Sequence, residues 1–206
     1  MRFILGIIFF SLVSCSNAQK PAVKKDIENY KGQIITLGGG CFWCTEALFQ
    51  RLEGVDTVVS GYMGGRVKNP TYNQVSSGQT GHAEVIQVYY NPDKIALSEI
   101  FEVFFTTHDP TTLNRQGADI GTQYRSVIYY ENENQKASAQ QIIKDIDKAD
   151  VFPNKVVTEV SPISTFYPAE DYHQNYYNLN GNQPYCSIVI APKIKKLEKL
   201  FKDKLK

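Results

Sequence analysis

Two cysteines, Cys41 and Cys44, stand three residues apart in the run Leu37-Gly38-Gly39-Gly40-Cys41-Phe42-Trp43-Cys44-Thr45-Glu46. A cysteine attacks as the thiolate, so its chemistry depends on surroundings that favour ionisation. The apolar residues Ile34, Ile35 and Leu37 lead into the run and read as a buried strand. Ala47, Leu48, Phe49 and Leu52 lead out of it at helical spacing. The glycines between them mark a turn that something approaches closely. Cys41 then falls at the first turn of the helix, where free N–H groups and the helix dipole favour negative charge. That position predicts an activated thiol. The competing reading is a structural cysteine packed as a small hydrophobe, and position alone does not choose between them.

The elements that must hold this thiol are legible in outline. The chain has 206 residues, enough for one domain with a sizeable core. A formal net charge of +1 argues against a nucleic-acid or anionic-substrate protein. Thirteen tyrosines and eleven phenylalanines fit a packed domain with aromatic-lined sites. Strands are expected at 34–37, 55–62, 84–90 and 125–130, and helices at 43–52 and 98–107 with Ser98 as cap. That order, βαββαβ, is the split-βαβ or ferredoxin-like pattern. The expected class is therefore α+β, one domain, with a mixed sheet, flanking helices and long active-site loops at 63–81 and 111–123. Beyond it come a helix at 133–149, a strand at 156–160 and a short helix at 172–179. An extended apolar stretch at 187–190 and an amphipathic helix at 194–205 close the chain.

The three histidines, His82, His108 and His173, show no helical i,i+4 pair, and no Cys-x-x-Cys recurs, so no metal site is expected. The start of the chain is a separate matter. Met1-Arg2 is basic, and the apolar run at 3–13 is too short to span a membrane. Leu12-Val13-Ser14-Cys15 resembles a bacterial lipoprotein box, which would make residues 1–14 a signal peptide, Cys15 the lipidated first residue and 15–32 a tether. Ordinary cleavage after Ala18 is the rival. The expected location is exported and lipid-anchored in the cell envelope.

Gly-Cys-Phe-Trp followed by Thr-Glu resembles the active-site signature of the peptide methionine sulfoxide reductase A family. The resemblance continues in order through Gly61-Tyr62-Met63-Gly64-Gly65, Asn69-Pro70-Thr71-Tyr72, Gly81-His82-Ala83-Glu84, His108-Asp109-Pro110-Thr111, Gly121-Thr122-Gln123-Tyr124-Arg125-Ser126 and Ala169-Glu170-Asp171-Tyr172-His173-Gln174. It implies thiol-dependent reduction of the S epimer of methionine sulfoxide, free or in proteins, with no metal or organic cofactor. Such chemistry needs a thiolate, a proton donor, hydrogen bonds for the oxygen and an apolar wall for the methyl group. By resemblance Cys41 is the nucleophile and Phe42 and Trp43 form the wall. Glu84 is the acid, kept neutral by burial. Tyr72 and Tyr124 hydrogen-bond the oxygen, and Asp119 orders that network from Ala118-Asp119-Ile120-Gly121, a local variant of the family block.

Attack leaves a sulfenic acid on Cys41 that a second thiol must resolve. Cys186, in Gln183-Pro184-Tyr185-Cys186, resembles a resolving cysteine on the family's flexible C-terminal segment, and Cys44 is the alternative. The implied partners are oxidised proteins or free methionine sulfoxide and a thioredoxin-like reductant, with the enzyme a monomer. Two other readings compete: a thioredoxin-like thiol–disulfide oxidoreductase built on Cys41 and Cys44, and a non-catalytic lipid-anchored binding protein.

Overall fold

Seven residues, Gln33–Gly39, form strand β1 at the centre of the sheet that carries the site. β1 pairs antiparallel with β3 (Ala83–Tyr90) on one side and β6 (Ser126–Tyr130) on the other. β2 (Val55–Met63) pairs antiparallel with β3. The computed structural model describes residues 30–206, so the expected signal peptide, Cys15 and nearly all of the tether lie outside the described residues. The full strand order is β7-β6-β1-β3-β2-β8. Its inner four strands, with helices α1 (Phe42–Phe49) and α3 (Leu97–Thr107) as crossovers, are the split-βαβ arrangement. β7 (Glu159–Pro162) runs parallel to β6 and makes the sheet mixed, and β8 (Tyr167–Pro168) pairs with β2 at the other edge.

The alternation in β3 sorts its side chains between two cores. Ile86, Val88 and Tyr90 join the main core with Ile35, Leu37 and the apolar faces of α1 and α3. Val85 and Ala83 join Met63, Val127 and Tyr129 on the opposite face, closed over by Phe166. Phe101 and Phe104 of α3 are fully buried, and each such side chain contributes roughly 1.5–3 kcal/mol.

Several expectations are corrected. The loop at 63–81 contains a short helix, α2 (Tyr72–Ser76), whose cap Thr71 accepts the N–H of Gln74 while the Gln74 side chain accepts that of Thr71. The 111–123 loop holds a hairpin, β4 (Arg115–Gln116) with β5 (Asp119–Ile120), then a 3₁₀ turn at Thr122–Tyr124. Helix α3 is capped at Ala96 rather than Ser98, because Glu99 reaches back to the Ala96 N–H at 2.9 Å. The expected helix at 172–179 is broken by Asn175 in the left-handed region, between a 3₁₀ turn at Asp171–His173 and α5 (Tyr176–Asn180). The stretch expected to be extended at 187–190 is instead a π-helix, Cys186–Ile190, running straight into α6 (Ala191–Leu200). Its apolar residues at 190, 194 and 197 continue one helical stripe that buries against the core, which outweighs the β preference of Ile and Val. Helix α4 (Glu133–Lys148) stands as expected, with Ala139 fully buried.

Candidate active site

The glycines that end β1 are there for two different reasons. A side chain at Gly38 would collide with Val127 and the Glu84 carbonyl on the flanking strands, at 2.8 and 3.0 Å. Gly40 has φ +92, which turns the chain off the sheet into α1. Cys41 is the N-cap of α1 and is 8 % exposed. The Glu84 carboxyl comes up from the start of β3 and accepts the N–H of Phe42 at 3.0 Å.

That arrangement sets the charges. Burial pushes Glu84 up to about 8, despite the Phe42 hydrogen bond that opposes it. The carboxyl is therefore an acid at neutral pH. Cys41 departs from the simple helix-terminus expectation. Burial raises its thiol well above the ordinary range, and a hydrogen bond with Cys44 and the charge of Glu84 add to that. The helix N–H that would have favoured a Cys41 thiolate is bonded to Glu84 instead. Cys44 moves the other way, down to about 7, chiefly through its hydrogen bond with Cys41. The two thiols share one proton, so the first charge on the pair is easy to form and the second is hard.

Tyr185 lies over this pair. Its hydroxyl donates to Asp119 at 2.8 Å and sits 3.8 Å from the Cys44 sulfur, while its ring meets Trp43 edge-on at 6.0 Å. Tyr72 at the start of α2 and Tyr124 in the 3₁₀ turn face the same centre. Burial raises both phenols, and the charges of Glu84 and Cys41 add to the effect, so both stay protonated donors.

The apolar side is built on two aromatic residues of α1. Phe42 is buried against Tyr62 and His173. Trp43 is half-buried, stacked on Tyr176 at 3.8 Å and 8°, and donates its indole N–H to His173 Nδ1 at 3.1 Å. Cys41, Cys44, Glu84, Phe42, Trp43, Tyr72, Asp119 and Tyr124 thus converge on one place.

Cys186 is buried at the first turn of the π-helix, which packs on α1, and Cys44 adds to the upward push of burial on its thiol. It sits in a helical turn, within the C-terminal segment that the resemblance implies is flexible. All three of these cysteines are free thiols. His82 accepts the Gly65 N–H on Nδ1 at 3.0 Å and places Nε2 2.8 Å from the Val67 carbonyl, which pins the loop after β2. His108 is buried between Phe104 O and Ser126 Oγ, and burial lowers it to about 4. Among the described residues no cluster of three or more His, Cys, Asp or Glu could hold a metal.

Sequence reasoning gave no site role to Tyr176, Tyr185, Glu46, Glu170 or His173. Glu46 is fully buried and accepts the N–H groups of Asn175 and Tyr176 at 2.8 and 3.2 Å, and burial raises it to about 7. The available signal was position: Glu46 closes the cysteine run, and Tyr185 directly precedes Cys186.

Comparison with known proteins agrees with this geometry. A family described as peptide methionine sulfoxide reductase matches residues 33–205. The peptide methionine sulfoxide reductase MsrA of Saccharolobus solfataricus is 53% identical over 174 residues, 84% of this chain and 97% of the relative. The crystal structure of Mxr1 from Saccharomyces cerevisiae in reduced form superposes with a TM-score of 0.70 at 36% identity, covering 77% of this chain and 92% of that one. Mxr1 in complex with Trx2 gives a TM-score of 0.50 at 28% identity, covering 72% and 88%.

Proposed function

The chain belongs to the peptide methionine sulfoxide reductase family, and from that premise we propose that Cys41 and Glu84 carry out its reaction together. The reaction is the thiol-dependent reduction of the S epimer of methionine sulfoxide to methionine, with a thioredoxin-like protein as electron donor. The observation that carries the assignment of residues is the buried Glu84 carboxyl held on the amide next to Cys41.

The Cys41 thiolate, formed within the Cys41–Cys44 pair, attacks the sulfoxide sulfur. Glu84 accepts the Phe42 N–H on one oxygen, leaving the other to give its proton to the sulfoxide oxygen. Tyr72 and Tyr124 hydrogen-bond that oxygen as its charge develops. The protonated oxygen then passes as hydroxyl from the substrate sulfur to the Cys41 sulfur as the transient sulfur–sulfur bond breaks, so methionine leaves and Cys41 is left as a sulfenic acid. Phe42 and Trp43 receive the methyl group, and Asp119 holds Tyr185 across the opening. A second thiol then attacks the Cys41 sulfur and expels water, giving a disulfide that exchanges with the reductant. Cys186 serves as that thiol, with Cys44 as the alternative; the π-helix it opens is a form found often at functional sites. The external dithiol supplies the electrons and no metal or organic group takes part. The Cys41/Cys44 oxidoreductase reading and the non-catalytic binding reading yield to the family membership.

Residues 33–206 are the catalytic domain, working as a monomer. Cys15 carries a lipid after removal of residues 1–14, and residues 15–32 tether the enzyme to the envelope membrane. The basic start, the short apolar run and the Leu-Val-Ser-Cys sequence support this. Its substrates are then oxidised envelope or secreted proteins. Mass spectrometry of the native N-terminus tests it: an acylated Cys15 is expected, and an unmodified chain beginning at Gln19 would overturn the anchor. Turnover of each sulfoxide epimer with dithiothreitol, in chelator-treated protein, tests the reaction. Loss of activity with chelator or preference for the R epimer would contradict it.

A further inference from the structure

One carboxylate outside the reacting set touches both halves of the pocket. Glu170 Oε1 accepts the backbone N–H of Tyr72 at 2.9 Å, on the oxygen side. Its Oε2 accepts the Tyr62 hydroxyl at 2.9 Å and faces His173 Nε2 at 3.9 Å, on the wall side. Burial raises Glu170, but the Tyr72 and Tyr62 hydrogen bonds outweigh it and hold the carboxyl below its usual range, so it is ionised.

His173 translates that charge to Trp43. An indole N–H can only donate, so the Nδ1 that accepts it must be unprotonated. Burial lowers the ring's affinity for a second proton, and the neutral ring must carry its hydrogen on Nε2. That nitrogen is buried, has no hydrogen-bond partner within normal distance, and lies among the rings of Phe42, Tyr72 and Tyr172. The group that stabilises a hydrogen there is the Glu170 carboxylate. The other tautomer would turn N–H against N–H at Trp43.

We propose that Glu170 is a positioning residue that keeps the two halves of the pocket in register. It selects the His173 tautomer that orients the Trp43 indole, and it seats the first turn of α2 that carries Tyr72. The effect on catalysis rests on the reading of Trp43 as the methyl wall and Tyr72 as an oxygen donor. The effect on the indole does not.

The chain has a single tryptophan, so protein labelled with ¹⁵N-tryptophan gives one indole N–H signal, that of Trp43. In Glu170→Gln, which keeps the shape and removes the charge, that signal should shift and its exchange with solvent should quicken by about tenfold, the scale of one hydrogen bond. KM for methionine (S)-sulfoxide should rise by about tenfold with a smaller change in kcat. Glu170→Asp should recover part of both. Thermal unfolding identifies which variants are folded, and an unmoved indole signal in either folded variant overturns the proposal. So does an indole shift with KM and kcat both unchanged. If the wild-type protein reduced no sulfoxide at all, the reading of the reaction would fail, and the indole signal would still decide the Glu170–His173–Trp43 connection.

Discussion

The Glu84 carboxyl accepts the Phe42 N–H at 3.0 Å, so the first amide of α1 is bonded to that carboxyl rather than left free for the thiol beside it. Cys41 at this helix start is therefore not the freely ionised cysteine that its position suggests. Its charge is shared with Cys44, and Glu84 stays protonated near neutrality.

Replacing Glu84 by glutamine should remove the acid while keeping the acceptor for Phe42. Steady-state kcat with dithiothreitol should fall by about 10²–10⁴, the usual contribution of a positioned acid. Loss of less than severalfold would place the proton donor elsewhere.

The same substitution has a stability signature. A carboxyl raised to about 8 in the folded chain holds a proton there that the unfolded chain has already released, from its ordinary range upward. Its effect is thus a loss of stability as pH rises toward 8. Glu84→Gln lacks that loss. Urea unfolding should show the variant gaining on wild type by up to about 1.4 kcal/mol per pH unit between roughly pH 5 and 8. A constant gap across that range would mean Glu84 is not held neutral.

Activity of the wild type should decline as pH rises through about 8, as Glu84 loses its proton. Ultraviolet absorbance of the thiolate should show one ionisation near 7 from the cysteine pair. Cys44→Ser should move that step upward, because burial then acts on Cys41 alone.

Recycling separates the other two thiols. Cys186→Ser should still release about one methionine per chain and then stall with thioredoxin, because sulfenic acid formation needs only Cys41 and the acid. Cys44→Ser should keep thioredoxin-dependent turnover, with its pH dependence shifted upward. The reverse outcome would exchange their roles, and a stall in both would put two disulfide steps in series. Cys186 is buried in a helical turn.

The sequence made the scaffold readable where a local pattern decides it. The strand–glycine–helix run around Cys41 and the βαββαβ order both depend on short-range periodicity, and both stand in the structure. What it did not reveal depends on distant parts of the chain. Helix α2 is set by its reciprocal Thr71–Gln74 cap inside a glycine-rich stretch. The π-helix at Cys186 forms because Ile190 and Ile194 bury against the core, which no local preference encodes. Tyr176 and Tyr185 reach Trp43 from more than a hundred residues away, and only the place of Tyr185 before Cys186 sets either apart among thirteen tyrosines. The upward shift of Cys41 follows first from its burial under distant parts of the chain, to which Cys44 and Glu84 add.

In the proposed reaction the Cys41 sulfur is the atom that takes the oxygen. Pre-reduced, desalted protein mixed with methionine (S)-sulfoxide and no reductant tests it in one step. The wild type should release about one methionine per chain with Cys41 recovered as sulfenic acid or disulfide by peptide mapping, and Cys41→Ser should release none. Methionine release by Cys41→Ser at the wild-type level, or oxidation confined to Cys44 or Cys186, would contradict the account.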